Sequence, residues 1–396
     1  MKDRKMKEIL YIGNIGTPNT ALTIHAQNIA HLFYKLGYHT TFICNKEKNG
    51  SVIKEKSEVY EYYYTKKYIN LPKISIIEYL FDEITGWKYK KILYAKVKEK
   101  KPELILMYGY AGERWVIKYC HKNKIPFLIE RVDWFEKDDR SGFIGKEIIQ
   151  RYIDNCITKK DKLVNGIIVI SKYFENYYNK LNKITVFIPP IFEFDLEKKI
   201  NRFNDNNKIR LVYAGNLAGN KDQILPALQA IKRINKDKIQ VSIDIIGPTM
   251  KEIEEVTLQN NWDKYGIKAY GRMEYKETQA IIEKADFSLL LRQDKRYARA
   301  GFSTKFVESM CLGVPVICTK VGGADMTITN MVDGVHLKDN KIDTIENILQ
   351  CLLNKNSEEI LQMKKNAYKK ACEIFYMENY IEKLKFFIEK VKEVYK

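Results

Sequence analysis

The sequence predicts an α/β protein built from two doubly wound parallel sheets in tandem. Three observations carry this. Short apolar strands without alternation recur along the chain, as a parallel sheet covered on both faces requires. Each is followed by an amphipathic helical stretch, the crossover that parallel neighbours need. The pattern then restarts after a polar, Asn-rich interval, which divides the 396 residues into two cores of ordinary size.

In order, EILYIG is the first strand, a helix follows near Thr23–Leu36, and HTTFIC is the second strand. Then come ELILMYG, a helix near Gly112–Lys122, PFLIERV, a long helix up to about Leu163, GIIVIS and ITVFIPP. EFDLEKKINRFNDNNK lacks a clean period and reads as the linker, with the boundary between Ile191 and Lys208. The second half runs IRLVYAG, a helix near Ile224–Ile234, VSIDIIG, a helix near Lys251–Asn260 and IKAYG. A helix near Lys276–Ala285, FSLLLR, a helix near Thr304–Leu312 and VPVICT complete the pattern. The expected domains are therefore 1–195 and 205–375. The helical end, 376–396, either completes the second domain or crosses back onto the first. The stretch from 60 to 100 breaks the rhythm by interleaving aromatics with lysines. It suits a membrane interface or an ordinary excursion packed on its own domain.

Hydrophobic residues at 45% and charged residues at 30% fit a soluble globular chain. No apolar run nears the ~20 residues that span a bilayer. The N-terminus passes from basic residues straight into a strand with no small-residue cleavage site, which leads us to expect a cytoplasmic protein. Seven scattered cysteines form no CxxC pair and five histidines form no cluster, so neither a disulfide framework nor a metal site is expected. The formal charge of +18 suits an anionic membrane surface. It equally suits lysines written on solvated helix faces. Nucleic acid would also reward it, but no RNA-binding signature accompanies the charge.

Several chemistries are excluded by missing motifs. There is no GxxxxGK[ST] loop, no GxGxxG after the first strand and no GxSxG elbow. No two aspartates are separated by one residue, which disfavours a sugar transferase that holds its donor through a divalent metal.

The positive signals lie in the second half. Tyr213–Asp222 reads as a strand, a Gly-containing turn at Gly215 and Asn216, and Lys221 opening a helix. A helix start offers unpaired N–H groups to phosphate. Arg292–Thr319 is richer. A basic loop leads to Gly301, Phe302, Ser303 and Thr304, where Ser303 or Thr304 can cap the next helix. Lys305 sits in its first turn, and Glu308, three residues on, shares its face. Lys305 can neutralise a phosphate, while Glu308 can accept both hydroxyls of a ribose. Together they describe a seat for a nucleoside diphosphate.

This segment resembles the E-x7-E region of retaining GT-B glycosyltransferases of the family-four type, written E-G-F-G…L-E-A-M-A-C-G-V-P-V-I. Phe306 to Ile317 matches its second half, and Gly301 to Lys305 resembles the G-F-P-T-K loop of a bacterial capsule and surface-polysaccharide branch. Gly215, Asn216 and Lys221 resemble the G-R-L-x-x-x-K element. Gly247 and Met273 fall at the two strand ends around the base. Two positions depart from the pattern: Ala300 replaces the first Glu and Asn216 replaces the Arg. Arg292 or Arg299 could replace that charge, and Arg292, which ends its strand, is preferred.

The resemblance implies a GT-B fold, with two doubly wound Rossmann-like domains facing a central cleft. It implies sugar transfer from a UDP or GDP sugar to a saccharide or lipid-linked acceptor hydroxyl, with retention and no metal or cofactor. It assigns the donor to the second domain through Gly215, Asn216, Lys221, Gly247, Met273, Arg292, Gly301–Lys305 and Glu308, joined by Gly16 and Thr17 after the first strand. The acceptor is assigned to His25, Glu113, Arg114 and Trp134, and catalysis to Asp133, Lys221, Lys305 and Glu308. A nucleotide-sugar epimerase of the same fold and a non-catalytic basic docking protein are the alternatives.

Overall fold

The structure, a computed structural model, describes residues 6–13, 15, 20–45, 56–65, 86–140, 142, 144–202, 208–215 and 222–395. The chain separates into two compact units, Met1–Ile191 with Met377–Lys396, and Phe192–Tyr376.

In the first unit the strands are β1 (Lys7–Gly13), β2 (Tyr38–Asn45), β3 (Tyr60–Thr65), β4 (Leu104–Tyr108), β5 (Phe127–Arg131), β6 (Gly166–Val169) and β7 (Thr185–Phe187). They lie in the order β3-β2-β1-β4-β5-β6-β7, and all pairs are parallel. In the second unit β8 (Ile209–Ala214), β9 (Val241–Ile246), β10 (Ile267–Ala269), β11 (Phe287–Leu290), β12 (Val316–Thr319) and β13 (Val335–Leu337) lie in the order β10-β9-β8-β11-β12-β13, again all parallel. Both are doubly wound parallel sheets. The central strands β1, β4, β8 and β11 are mostly buried apolar runs because helices cover both faces.

The helices fall close to their sequence signals. Thr20 caps Ala21–Lys35 by accepting the Thr23 N–H at 3.2 Å, and Ser171 caps Lys172–Asn179. Thr249 and Glu252 form a capping box for Met250–Thr257. Two expectations are corrected. The long helix ending near Leu163 is three pieces: a wide π turn over Ile144–Ile149, an α-helix over Gln150–Thr158 and a tight 3-10 turn over Lys160–Leu163. The last piece delivers Asp161 to the buried Arg131, which bonds it at 2.5 and 2.9 Å. The helix expected to open at Lys221 begins at Leu225, with Pro226 in its first turn, where a missing N–H costs nothing.

After Ser357–Phe375 the chain returns to the first unit. The helix Ile381–Tyr395 buries Leu384, Phe387, Ile388 and Val391 in the core that also holds Ile9, Leu106, Leu128 and Ile168. Gly166 makes the approach possible: a Cβ there would lie 2.7 Å from both Phe387 Cζ and Val391 Cγ2. Truncating Phe387 to alanine should cost the first unit about 3–5 kcal/mol. In urea unfolding, its transition should move to lower midpoint while that of the second unit stays in place.

Candidate functional site

The second sheet changes winding direction between β8 and β11, so crossovers diverge there and leave a crevice beyond the strand ends. The residues singled out in the sequence gather at this place. Gly215 follows β8, Gly247 follows β9, Arg292 lies just beyond β11, and Thr319 ends β12.

Backbone crowding sets the floor of the crevice. Gly247 has φ +119°, and a Cβ on it would lie 1.9 Å from the Gly215 carbonyl oxygen. A Cβ on Gly215 would meet Lys305 Nζ at 2.3 Å and the Tyr213 hydroxyl at 2.5 Å. Both positions therefore need glycine for close approach. Thr319 ties the far wall: its Oγ1 accepts the Arg292 N–H at 3.0 Å and donates to the Arg292 carbonyl at 2.7 Å.

Lys305 enters from the helix Thr304–Cys311, capped by Ser303, whose Oγ accepts the Phe306 N–H at 3.4 Å. Its ammonium lies 5.2 Å from the Tyr213 ring centre and 2.7 Å from Asp222 Oδ2. Arg292 Nε bonds the other oxygen, Oδ1, at 2.9 Å. Burial pushes the Asp222 carboxyl up, but Lys305 and Arg292 outweigh it and hold it down at about 2. The carboxylate is thus ionised at any working pH. Sequence reasoning missed Asp222; the only signal was its place beside Lys221 in the turn.

One turn along the same helix, Glu308 Oε1 accepts the Tyr275 hydroxyl at 3.4 Å. Burial pushes its carboxyl up to about 7, against the pull of Tyr275 and Lys305. Glu308 is thus held up toward neutrality, whereas Asp222 is held ionised. Phe302 packs on Phe306 and Phe375 and closes on Gly323, where a Cβ would lie 2.1 Å from its ring. Ala300 is fully buried in the short helix Arg296–Ala300. Met273 packs on the small cluster of Val212, Ile246 and Ile282. Gly301 and Thr304 flank the Ser303 cap. Gly16, Thr17, Asn216 and Lys221 lie outside the described residues.

In the first unit the expected acceptor residues divide. Arg114 is exposed, and Asp133 is half-buried after β5 with its carbonyl accepting the Tyr110 hydroxyl at 3.0 Å. The expectation that Glu113, Trp134 and His25 line an acceptor surface is corrected. Glu113 is fully enclosed and bonds Arg131 at 2.7 Å; burial drives its carboxyl upward against that guanidinium. Trp134 stacks on Phe174 at 5.9 Å and donates Nε1–H to Asp154 at 2.8 Å. His25 turns inward to Glu130, which also accepts the Tyr11 hydroxyl. Glu130 and Arg131 are two charges inside an apolar strand, and that oddity of PFLIERV was the signal that these groups belong to a buried network.

Among the described residues no group of three His, Cys, Asp or Glu could hold a metal ion. No helix is long and apolar enough to cross a membrane among them.

Residues 194–370 match the family model described as "Glycosyl transferases group 1". An uncharacterized glycosyltransferase of Methanocaldococcus jannaschii is 24% identical over 275 residues, 68% of this chain; the chain spans 64% of that relative's length. Sucrose-phosphate synthase from Thermosynechococcus elongatus superposes with a TM-score of 0.74 at 14% identity, covering 98% of this chain and 100% of that one. Anabaena HepE, solved in complex with UDP, gives 0.69 at 15% identity over 97% and 100%. The pneumococcal O-GlcNAc transferase GtfA, in complex with UDP and GlcNAc, gives 0.66 at 15% over 98% and 99%. At these identities the superpositions establish the two-sheet GT-B architecture.

The raised carboxyl of Glu308 has a measurable cost. The folded state holds the proton more tightly than the unfolded state, whose value is near 4.5. Stability should therefore fall as pH rises from 4.5 to 7 and level off above, a loss of about 3 kcal/mol at roughly 1.4 kcal/mol per unit. Glu308→Gln should remove that slope. It should leave the thermal midpoint nearly unchanged at pH 4 and raise it at pH 8.

Proposed function

We propose that this chain, a glycosyltransferase with a group 1 domain in its second half, transfers a sugar from a nucleoside diphosphate sugar to an acceptor hydroxyl with retention of configuration. The observation that carries the reading is the convergence of Lys305, Arg292 and a capped helix start on one crevice, with Glu308 a turn away. The cations suit a diphosphate and the carboxylate suits a ribose diol. Anabaena HepE and pneumococcal GtfA carry UDP in their structures, which favours a uridine nucleotide over a guanosine one here.

In the proposed reaction the bond from the sugar's anomeric carbon to the diphosphate oxygen breaks, and the acceptor oxygen bonds to the same face. The leaving diphosphate gains negative charge, which Lys305, Arg292 and the helix N-terminus stabilise without a metal; Lys221 is assigned to the same charge. A phosphate oxygen takes the acceptor proton. Asp133 and Arg114, at strand ends of the first unit, are assigned to the acceptor side. We place the reaction in the synthesis of a cell-surface polysaccharide or glycoconjugate.

A groove of about 590 Å³ in the first unit supports peripheral attachment to anionic lipid. Lys383 and Lys390 line it with Lys183, which donates to the Lys162 and Val164 carbonyls, and Lys172, which pairs with Glu175; Phe386 is exposed beside them. Lys383→Glu with Lys390→Glu should release the protein from vesicles containing phosphatidylglycerol at low salt. Equal retention of the variant would remove the groove from the reading.

The donor assignment is tested by a melt-shift screen of UDP, GDP and CMP sugars, since a ligand of the native state alone raises its stability. One class should raise the midpoint. Lys305→Ala should abolish that shift and lower kcat/KM by about 100- to 1000-fold. Epimerisation of the donor with no acceptor present would replace transfer as the reaction.

A further inference from the structure

Asp222 stands in an unusual place for a carboxylate, at the centre of a site proposed to bind a diphosphate. Its side chain is 5% exposed and both oxygens are spent on cations, Oδ2 on Lys305 and Oδ1 on Arg292. Its backbone is held as well. Residues 222 and 292 form an antiparallel bridge, and the Gln223 N–H bonds the Leu291 carbonyl at 2.7 Å. Arg292 is fastened on its other side by Thr319. The carboxylate is therefore a fixed point, and the two long flexible cations are ordered by it.

The geometry of the guanidinium gives this a direction. Arg292 meets Asp222 through Nε alone, and its two terminal nitrogens make no hydrogen bond to a described residue. Those nitrogens form one edge of a planar fork whose spacing matches two phosphate oxygens. A free arginine side chain loses rotamer entropy when it is immobilised; here Asp222 has already ordered it. The neighbouring Lys305 is held over the Gly215 backbone by the second oxygen of the same carboxylate.

We propose that Asp222 is a positioning residue for the donor diphosphate, aiming the Arg292 fork and the Lys305 ammonium into the crevice beside Gly215. This rests on the nucleoside diphosphate reading of the site. Asp222 touches no substrate; it acts through the two cations. Its role is therefore confined to the phosphates and does not extend to the nucleoside.

That confinement supplies the test. Binding of UDP and of uridine to the full chain is measured by calorimetry for the wild type, Asp222→Asn and Asp222→Glu, with GDP and guanosine in parallel. The asparagine variant should weaken diphosphate binding about 10- to 100-fold, the loss expected when charge-assisted bonds are misdirected. It should leave nucleoside binding unchanged and raise KM for the donor sugar. The glutamate variant, which keeps the charge on a longer stem, should recover part of the loss and covers the case in which asparagine does not fold. An equal loss for diphosphate and nucleoside would make Asp222 a purely structural ion-pair partner and overturn the proposal. Tighter diphosphate binding would also overturn it, since Asp222 would then compete with the ligand. If the wild type binds no nucleoside diphosphate at all, the functional reading itself fails, an outcome distinct from either.

Discussion

Every strand pair in both sheets is parallel, and most of the molecule follows from that constraint. A parallel strand cannot return through a tight turn, so each must be followed by a crossover that lies over one face. Both faces become covered and the strands become continuous apolar runs. Polar chemistry is then pushed to the strand ends. In the second sheet the winding reverses between β8 and β11, and there the crossovers part. Gly215, Gly247, Arg292 and Thr319 are strand-end residues before they are anything else.

The same constraint explains the cost of charge inside the first unit. Glu130 and Arg131 end β5, where the sheet is still enclosed. Arg131 is accordingly surrounded by Asp161, Glu113 and the Gly109 carbonyl, with the Tyr110 ring 4.5 Å away. Such a network tolerates no missing partner, because a lone buried charge is far more costly than a paired one. Its members are poor candidates for binding anything from outside. The second unit holds its charges differently: Asp222 is enclosed, but Lys305 keeps a third of its side chain exposed.

Much of this was legible in the sequence. Apolar runs of four to seven residues marked most strands, though not β3, whose tyrosines and Glu61 carry no such run, nor β13, and Ser303 marked a helix start by its capping chemistry. Gly301 to Glu308 stood out in the sequence because helix start, cation and carboxylate fall within eight positions. What remained hidden depends on contacts between distant segments. Asp222 lies 70 residues before Arg292 and 83 before Lys305, and nothing local to it announces either partner. His25, Glu113 and Trp134 carried functional residue types at plausible loops, but sequence does not say which way a side chain turns. The return of the last helix left equally little trace, since Leu384, Phe387 and Val391 would suit either core.

That return carries a consequence for how the protein is made. The strands of the first unit are made before those of the second, yet its core lacks Met377, Tyr380, Leu384, Phe387, Ile388 and Val391 until the returning segment emerges. At roughly 5–20 residues per second, the intervening unit takes on the order of ten seconds or more to synthesise. Through that interval the core of the nascent first sheet is packed by Ala26, Ile29 and Phe33 of the first helix but lacks the last helix. Chaperone demand should therefore concentrate on the early half of the chain, which is completed by emergence of the last helix rather than by translation of its own strands.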